Sequence, residues 1–135
     1  MDIPAFLGRR CRGLVAREFW LSGRLVNHLS VVFLTDDVGD KWQLFLDDED
    51  YTWKVEQTDV VPCPGTVEGD SEFRWPTVDL LSDYAVEGLP IQGFLERDTG
   101  VAAEAKMDFA GGISLLFRYE YATEKSSCVL VKATG

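Results

Sequence analysis

Leu7-Gly8-Arg9-Arg10-Cys11-Arg12-Gly13-Leu14-Val15 lines up with Glu87-Gly88-Leu89-Pro90-Ile91-Gln92-Gly93-Phe94-Leu95, eighty residues further along the chain. Both glycines recur, with an apolar residue two before the second glycine in each copy and an apolar pair after it. Alternating apolar stretches follow each copy. Two copies at so long a spacing indicate a duplicated supersecondary unit, because stacked solenoid repeats need three or more to bury a continuous core. The matched glycines favour tight backbone bends at equivalent places in the two copies.

Working outward from the first copy, the pattern is that of strands. Leu29, Val31 and Phe33 alternate with His28, Ser30 and Val32; Trp42, Leu44 and Leu46 alternate with Gln43, Phe45 and Asp47; Tyr51, Trp53 and Val55 alternate with Thr52, Lys54 and Glu56. The connectors Asp36-Asp37-Val38-Gly39-Asp40 and Asp47-Asp48-Glu49-Asp50 are short and polar, so strands over 29–35, 41–47 and 51–57 form an antiparallel meander. After the second copy, Lys106–Ala110, a Gly111-Gly112 turn, and Ile113, Leu115, Phe117, Tyr119 and Tyr121 on one face repeat the scheme, and Cys128–Lys132 returns beside them. With strands around Cys11–Val15 and Ile91–Glu96, each half holds about four strands. The fold class is mainly β: a single domain over 1–135 of two related antiparallel four-stranded halves, 7–57 and 87–132, arranged as a sheet, sandwich or small barrel.

Between them, 58–86 reads as a linker. Pro62-Cys63-Pro64-Gly65 and Gly69-Asp70 exclude regular structure, whereas Thr77–Ala85 after Pro76 reads as a short helix with proline in its first turn. An α+β arrangement is the competitor, and follows if Pro4–Trp20 is helical, which Gly8 and Gly13 disfavour.

Composition narrows the function classes. No apolar run approaches the ~20 residues of a membrane helix, and the start of the chain lacks the basic-then-apolar order of a secretory signal. The three cysteines Cys11, Cys63 and Cys128 are odd in number and widely spaced, which reads as free, buried thiols in a reducing cytoplasm. The net charge of -10 divides into +3 over residues 1–30 and -13 over residues 31–135. That field opposes direct nucleic-acid and membrane binding and suits a basic protein partner.

No catalytic, metal or cofactor motif stands out. The carboxylates Asp47, Asp48, Glu49 and Asp50 lack the alternation, central glycine and distal glutamate of an EF-hand loop. His28 has no sequence-local partner, and Gly111-Gly112 joins strands without a following helix N-terminus. The candidate partner-binding residues are Asp36, Asp37, Asp40, Asp47, Asp48, Glu49 and Asp50 on two acidic turns, with Phe73, Arg74 and Trp75 on the linker as aromatic and guanidinium anchors. The two turns lie at opposite ends of the middle strand, roughly 20 Å apart. Arg9, Arg10 and Arg12 are available to neutralise part of this charge from within the chain.

Three function classes follow. The first is a non-enzymatic acidic module that neutralises or inhibits a basic protein, a kind represented by immunity proteins and nucleic-acid-mimic inhibitors; the likeness is in size and acidity, not in motif. The second is a small-molecule binder with an aromatic pocket lined by residues such as Trp42, Trp53 and Phe117. The third is a carboxylate-based enzyme with its acid–base pair drawn from the two halves. A duplicated sheet also leaves edge strands, through which a homodimer can pair.

Overall fold

The repeated segments meet each other. Gly8 N–H donates to the Ile91 carbonyl at 2.7 Å and Gly88 N–H donates to the Cys11 carbonyl at 2.7 Å; Cys11 N–H reaches the Leu89 carbonyl at 3.0 Å and Ile91 N–H the Arg9 carbonyl at 2.8 Å. Each bond is the image of another under the eighty-residue offset, and Arg10 pairs with its own counterpart Pro90. A pseudo-two-fold axis therefore passes between residues 10 and 90. The bends before it also match, since Gly8 (φ 87°) and Gly88 (φ 75°) both take left-handed backbone. Phe6 and Val86 occupy equivalent places and are buried to 1% and 0% exposure.

The structure is a computed structural model that describes residues 6–21, 24–47, 49–59, 65–66, 73–75 and 77–132; at 21, 26–28, 30, 65–66 and 73–75 the backbone alone is described. The first half holds β1 (Cys11–Leu21), β2 (Arg24–Asp36), β3 (Lys41–Asp47) and β4 (Thr52–Gln57); the linker holds β5 (Gly65–Thr66), β6 (Phe73–Trp75), β7 (Thr77–Asp79) and α1 (Leu80–Tyr84); the second half holds β8 (Ile91–Asp98), β9 (Ala102–Phe109), β10 (Ile113–Glu120) and β11 (Lys125–Lys132). Two antiparallel sheets result, β4-β3-β2-β1-β6-β5 with β7 also on β1, and β11-β10-β9-β8. They pack as a sandwich-like β domain without barrel closure.

The halves share one register. Cys11↔Asp36 and Leu14↔Leu34 correspond to Ile91↔Phe109 and Phe94↔Met107, with a β-bulge at Cys11/Gly13 matched by one at Ile91/Gly93. Leu34↔Trp42 and Leu44↔Val55 correspond to Met107↔Leu115 and Phe117↔Cys128. Contacts between sheets obey the same symmetry, β2 against β11 and β9 against β4. Between the layers lies one buried cluster that includes Leu14, Leu34, Trp42, Leu44 and Trp53 from the first sheet and Ile91, Met107, Phe109, Leu115 and Phe117 from the second.

Four sequence expectations are revised. Gly65, read as part of a stretch that excludes regular structure, opens β5 and pairs with Trp75 of β6. Residues from Cys11 to Leu21 form a strand, which removes the α+β alternative, because pairing with both β2 and the linker satisfies that backbone. The helix is shorter than 77–85: Thr77–Asp79 instead pairs with β1 through Arg17↔Thr77, Ala16↔Val78 and Val15↔Asp79, and Asp79 caps α1 by accepting from the Leu81 and Ser82 amides. In β2 the strict alternation of Leu29, Val31 and Phe33 fails. Register shifts between Arg17 and Phe19 let Leu29, Val32 and Leu34 enter the core, while Phe33 lies under the Arg17 guanidinium at 5.5 Å. Pro62, Cys63, Pro64, Gly69, Asp70 and Pro76, and the chain before Phe6, lie outside the described residues.

Added side chains at the two axis glycines meet little: a Cβ on Gly8 finds nothing within 4 Å and one on Gly88 only the Arg12 guanidinium at 3.8 Å. Backbone strain alone then decides the cost. Gly8→Ala and Gly88→Ala should each lower stability by about 1–2 kcal/mol, with similar shifts in urea midpoint; a cost at only one site would contradict their equivalence.

Candidate functional site

The two acidic turns have different fates. Asp36 is buried at 1% exposure. One carboxylate oxygen accepts from the Val38 and Asp40 amides, both at 3.0 Å, and the other from Arg9 at 2.8 Å and the Trp42 indole at 3.0 Å. Arg9 also binds Asp40 at 2.8 Å. Burial works against the Asp36 charge, but these donors outweigh it and hold the carboxyl below its ordinary range. Asp36 is thus a structural node of the β2–β3 hairpin, not an exposed docking carboxylate. Its counterpart in the second half is the buried Phe109. Asp37 remains exposed, and Asp40 is half-buried beside Arg9.

Asp36→Asn puts an amide donor among four donors and should cost about 2–3 kcal/mol, less than the ~3–5 kcal/mol of a fully buried broken pair because Arg9 stays 28% exposed. The sign follows from a depressed carboxyl: its contribution is complete above the unfolded value near ~3.9 and is lost as pH falls through the folded value. Acid titration of unfolding free energy should therefore be steeper for the wild type than for Asp36→Asn below about pH 4.

The anchors Phe73, Arg74 and Trp75 do not lie on an irregular loop. They form β6, with Trp20↔Arg74 and Leu21↔Phe73 on one side and Gly65↔Trp75 and Thr66↔Arg74 on the other. The extension of β1 to Leu21 offers the edge that recruits them. Asp48 lies outside the described residues.

The second acidic turn builds a site. Asp47 and Asp50 both hold the Lys54 ammonium, at 3.3 and 3.1 Å, and Asp47 accepts the Glu49 amide at 2.9 Å. Asp50 also accepts the Thr52 hydroxyl at 2.6 Å, and Thr52 and then Lys54 lower its pKa. Glu49 and Asp50 are exposed. Tyr51 then takes left-handed backbone (φ 56°), as does Glu124 (φ 55°) at the equivalent position of the β10–β11 turn. Their amides close equivalent turns onto the Asp47 and Glu120 carbonyls at 2.8 and 2.9 Å.

These two turns meet. The Tyr51 ring lies near-parallel to Tyr119 (23°, centroids 6.0 Å apart) and edge-on to Tyr121 (81°, 5.8 Å), with Tyr119 and Tyr121 6.1 Å apart. Together with Asp50, Asp98 and Glu124 they line a cleft of about 420 Å³. Three carboxylates and no cation are among these lining residues. Burial, then the charge of Glu124, raises the Tyr119 pKa; burial, then Asp98 and its hydrogen bond, raises that of Tyr121. Both phenols stay neutral at pH 7 and keep π-rich faces. Burial, then Asp50, also raises the neighbouring Glu96 carboxyl.

Of the described residues singled out from sequence, Asp50 alone is among those lining this cleft. Alternation places Tyr51, Tyr119 and Tyr121 on strand faces, and nothing in the sequence marks Asp98 or Glu124. The available signal was that Asp47–Thr52 and Glu120–Lys125 are equivalent hairpins. Trp42, Trp53 and Phe117 belong to the buried core, with Trp53 packed on Phe117 at 6.2 Å and donating its indole N–H to the Ala103 carbonyl at 2.9 Å. Cys11 and Cys128 are free, and burial pushes both thiols up to about 12. Among the described residues no three His, Cys, Asp or Glu side chains are placed to hold a metal ion, and no helix is long and apolar enough to cross a membrane. Comparison with known families, curated proteins and solved structures finds no match to this chain.

Proposed function

We propose that the protein is a non-enzymatic acidic binding module that docks a basic protein partner, in the manner of an immunity protein or nucleic-acid-mimic inhibitor, in the cytoplasm. The observation that carries this reading is the tyrosine cleft with its rim of Asp50, Asp98 and Glu124, contributed by turns of both halves. Tyrosines supply large contact area at low conformational cost, and the carboxylates steer a cationic partner to them. The long-range field of the -10 chain acts in the same direction. The inert thiols agree with a reducing compartment.

The carboxylate-enzyme reading draws on one observation, that Glu96 is raised while Asp50 is lowered. Docking is the stronger reading, because Glu96 is not among the residues lining the cleft and Asp50 is held by Thr52 and Lys54.

Affinity capture from host lysate at low and high salt, with mass spectrometry, tests the proposal. A single stoichiometric basic protein should be retained, weakened by salt, and weakened about tenfold or more by combining Asp50→Asn, Asp98→Asn and Glu124→Gln. Capture unaffected by those substitutions would place the interface elsewhere, and no retained protein would remove the reading.

A further inference from the structure

Lys54 already occupies one cation position at the cleft. Its ammonium bridges Asp47 and Asp50, so the point-charge seat between those two carboxylates is filled by the chain's own residue. The remaining lining acids, Asp98 and Glu124, come from the second half and share the cleft with the three tyrosine rings; one Asp98 oxygen also accepts the Gly100 amide at 2.8 Å. Tyr51 is 46% exposed although Tyr119 stacks near it and Tyr121 meets it edge-on. Tyr51 therefore remains partly open to solvent in a cleft that it shares with both carboxylates.

We infer that the cleft receives the guanidinium of an arginine side chain, stacked on Tyr51 and hydrogen-bonded to Asp98 and Glu124. A planar cation uses both features at once: its face covers the ring while its edge N–H groups, which lie in its own plane, reach carboxylates beside the ring. An ammonium ion uses them poorly, since it is more strongly hydrated and has no face to stack. The cleft is also open enough to admit a side chain presented on a partner's backbone, which an enclosed cavity would not. This inference rests on the docking reading above, in that it names the chemical group by which a basic partner is recognised.

The test uses the full chain carrying ¹³C-labelled tyrosine rings, titrated with N-acetyl-arginine-N-methylamide, its lysine analogue and its neutral citrulline analogue. The arginine amide should shift the Tyr51, Tyr119 and Tyr121 ring signals saturably, with a dissociation constant on the order of 10 mM. The lysine amide should bind at least about threefold more weakly, and the citrulline amide should give no saturable shift. Tyr51→Leu should abolish the response and Tyr51→Phe retain it within about twofold, with the Tyr84 signal reporting that each variant is folded. Should Tyr51→Leu fail to fold, Asp98→Asn with Glu124→Gln takes its place and should abolish the response equally.

No saturable shift with the arginine amide, or an equal shift with citrulline, overturns the inference; equal affinity for lysine overturns its guanidinium assignment. Failure here alongside salt-sensitive capture that depends on Asp50, Asp98 and Glu124 sinks the arginine site and leaves docking standing. Arginine binding without any captured partner does the reverse.

Discussion

The two sheets are arranged around four backbone hydrogen bonds between residues 8–11 and 88–91. They are reciprocal, so they act as an isologous interface inside one chain. Because they join the starts of the two halves, each sheet leaves the axis along an equivalent path, with a left-handed glycine, a buried residue and a bulge in the same order. Buried backbone groups that cannot reach water must be paired, and here each copy supplies the partners of the other. Phe6 and Val86, each two residues before its bonded glycine, are buried in the core.

The symmetric frame matters for function because it brings unlike residues to like positions. Tyr51 and Glu124 share a backbone conformation and a turn, yet one supplies a ring and the other a carboxylate. Contact between equivalent turns makes a composite cleft whose lining comes from both halves. Symmetry is broken elsewhere for structural reasons. Asp36, in place of Phe109, ties the β2–β3 turn to Arg9 and Trp42, and the linker strands β6 and β7 cover β1, whereas β8 ends its sheet among the described residues. Its Gly93 bulge and the charged Glu96, Arg97 and Asp98 are features that discourage strand addition.

Much of the β scaffold was legible because alternation in β3, β4 and β10 follows burial on one face. The full extent of the repeat was not. The offset is eighty residues in the first strand of each half and seventy-three in the other three, as Leu34↔Trp42 against Met107↔Leu115 shows, because the β1–β2 arm is longer than the β8–β9 arm. A comparison at one spacing therefore sees only the first strand. Strands of two or three residues, such as β5 to β7, carry no period to read, and their existence depends on the edge that β1 offers. Asp36 looked like any turn carboxylate, since its burial depends on Arg9 and Trp42 arriving from other elements. The tyrosine cleft was hidden for the same reason: each of its residues is ordinary in its own strand or turn, and only the meeting of the halves gives them a common role.

The two halves meet symmetrically and so assemble that cleft. With only four tyrosines in the chain, ring-to-ring nuclear Overhauser effects in a tyrosine-labelled sample test it directly. Cross-peaks are expected from the Tyr51 ring to both Tyr119 and Tyr121. Their absence, in a sample whose strand amides remain protected, would show that the β3–β4 and β10–β11 turns do not meet and that no shared cleft forms.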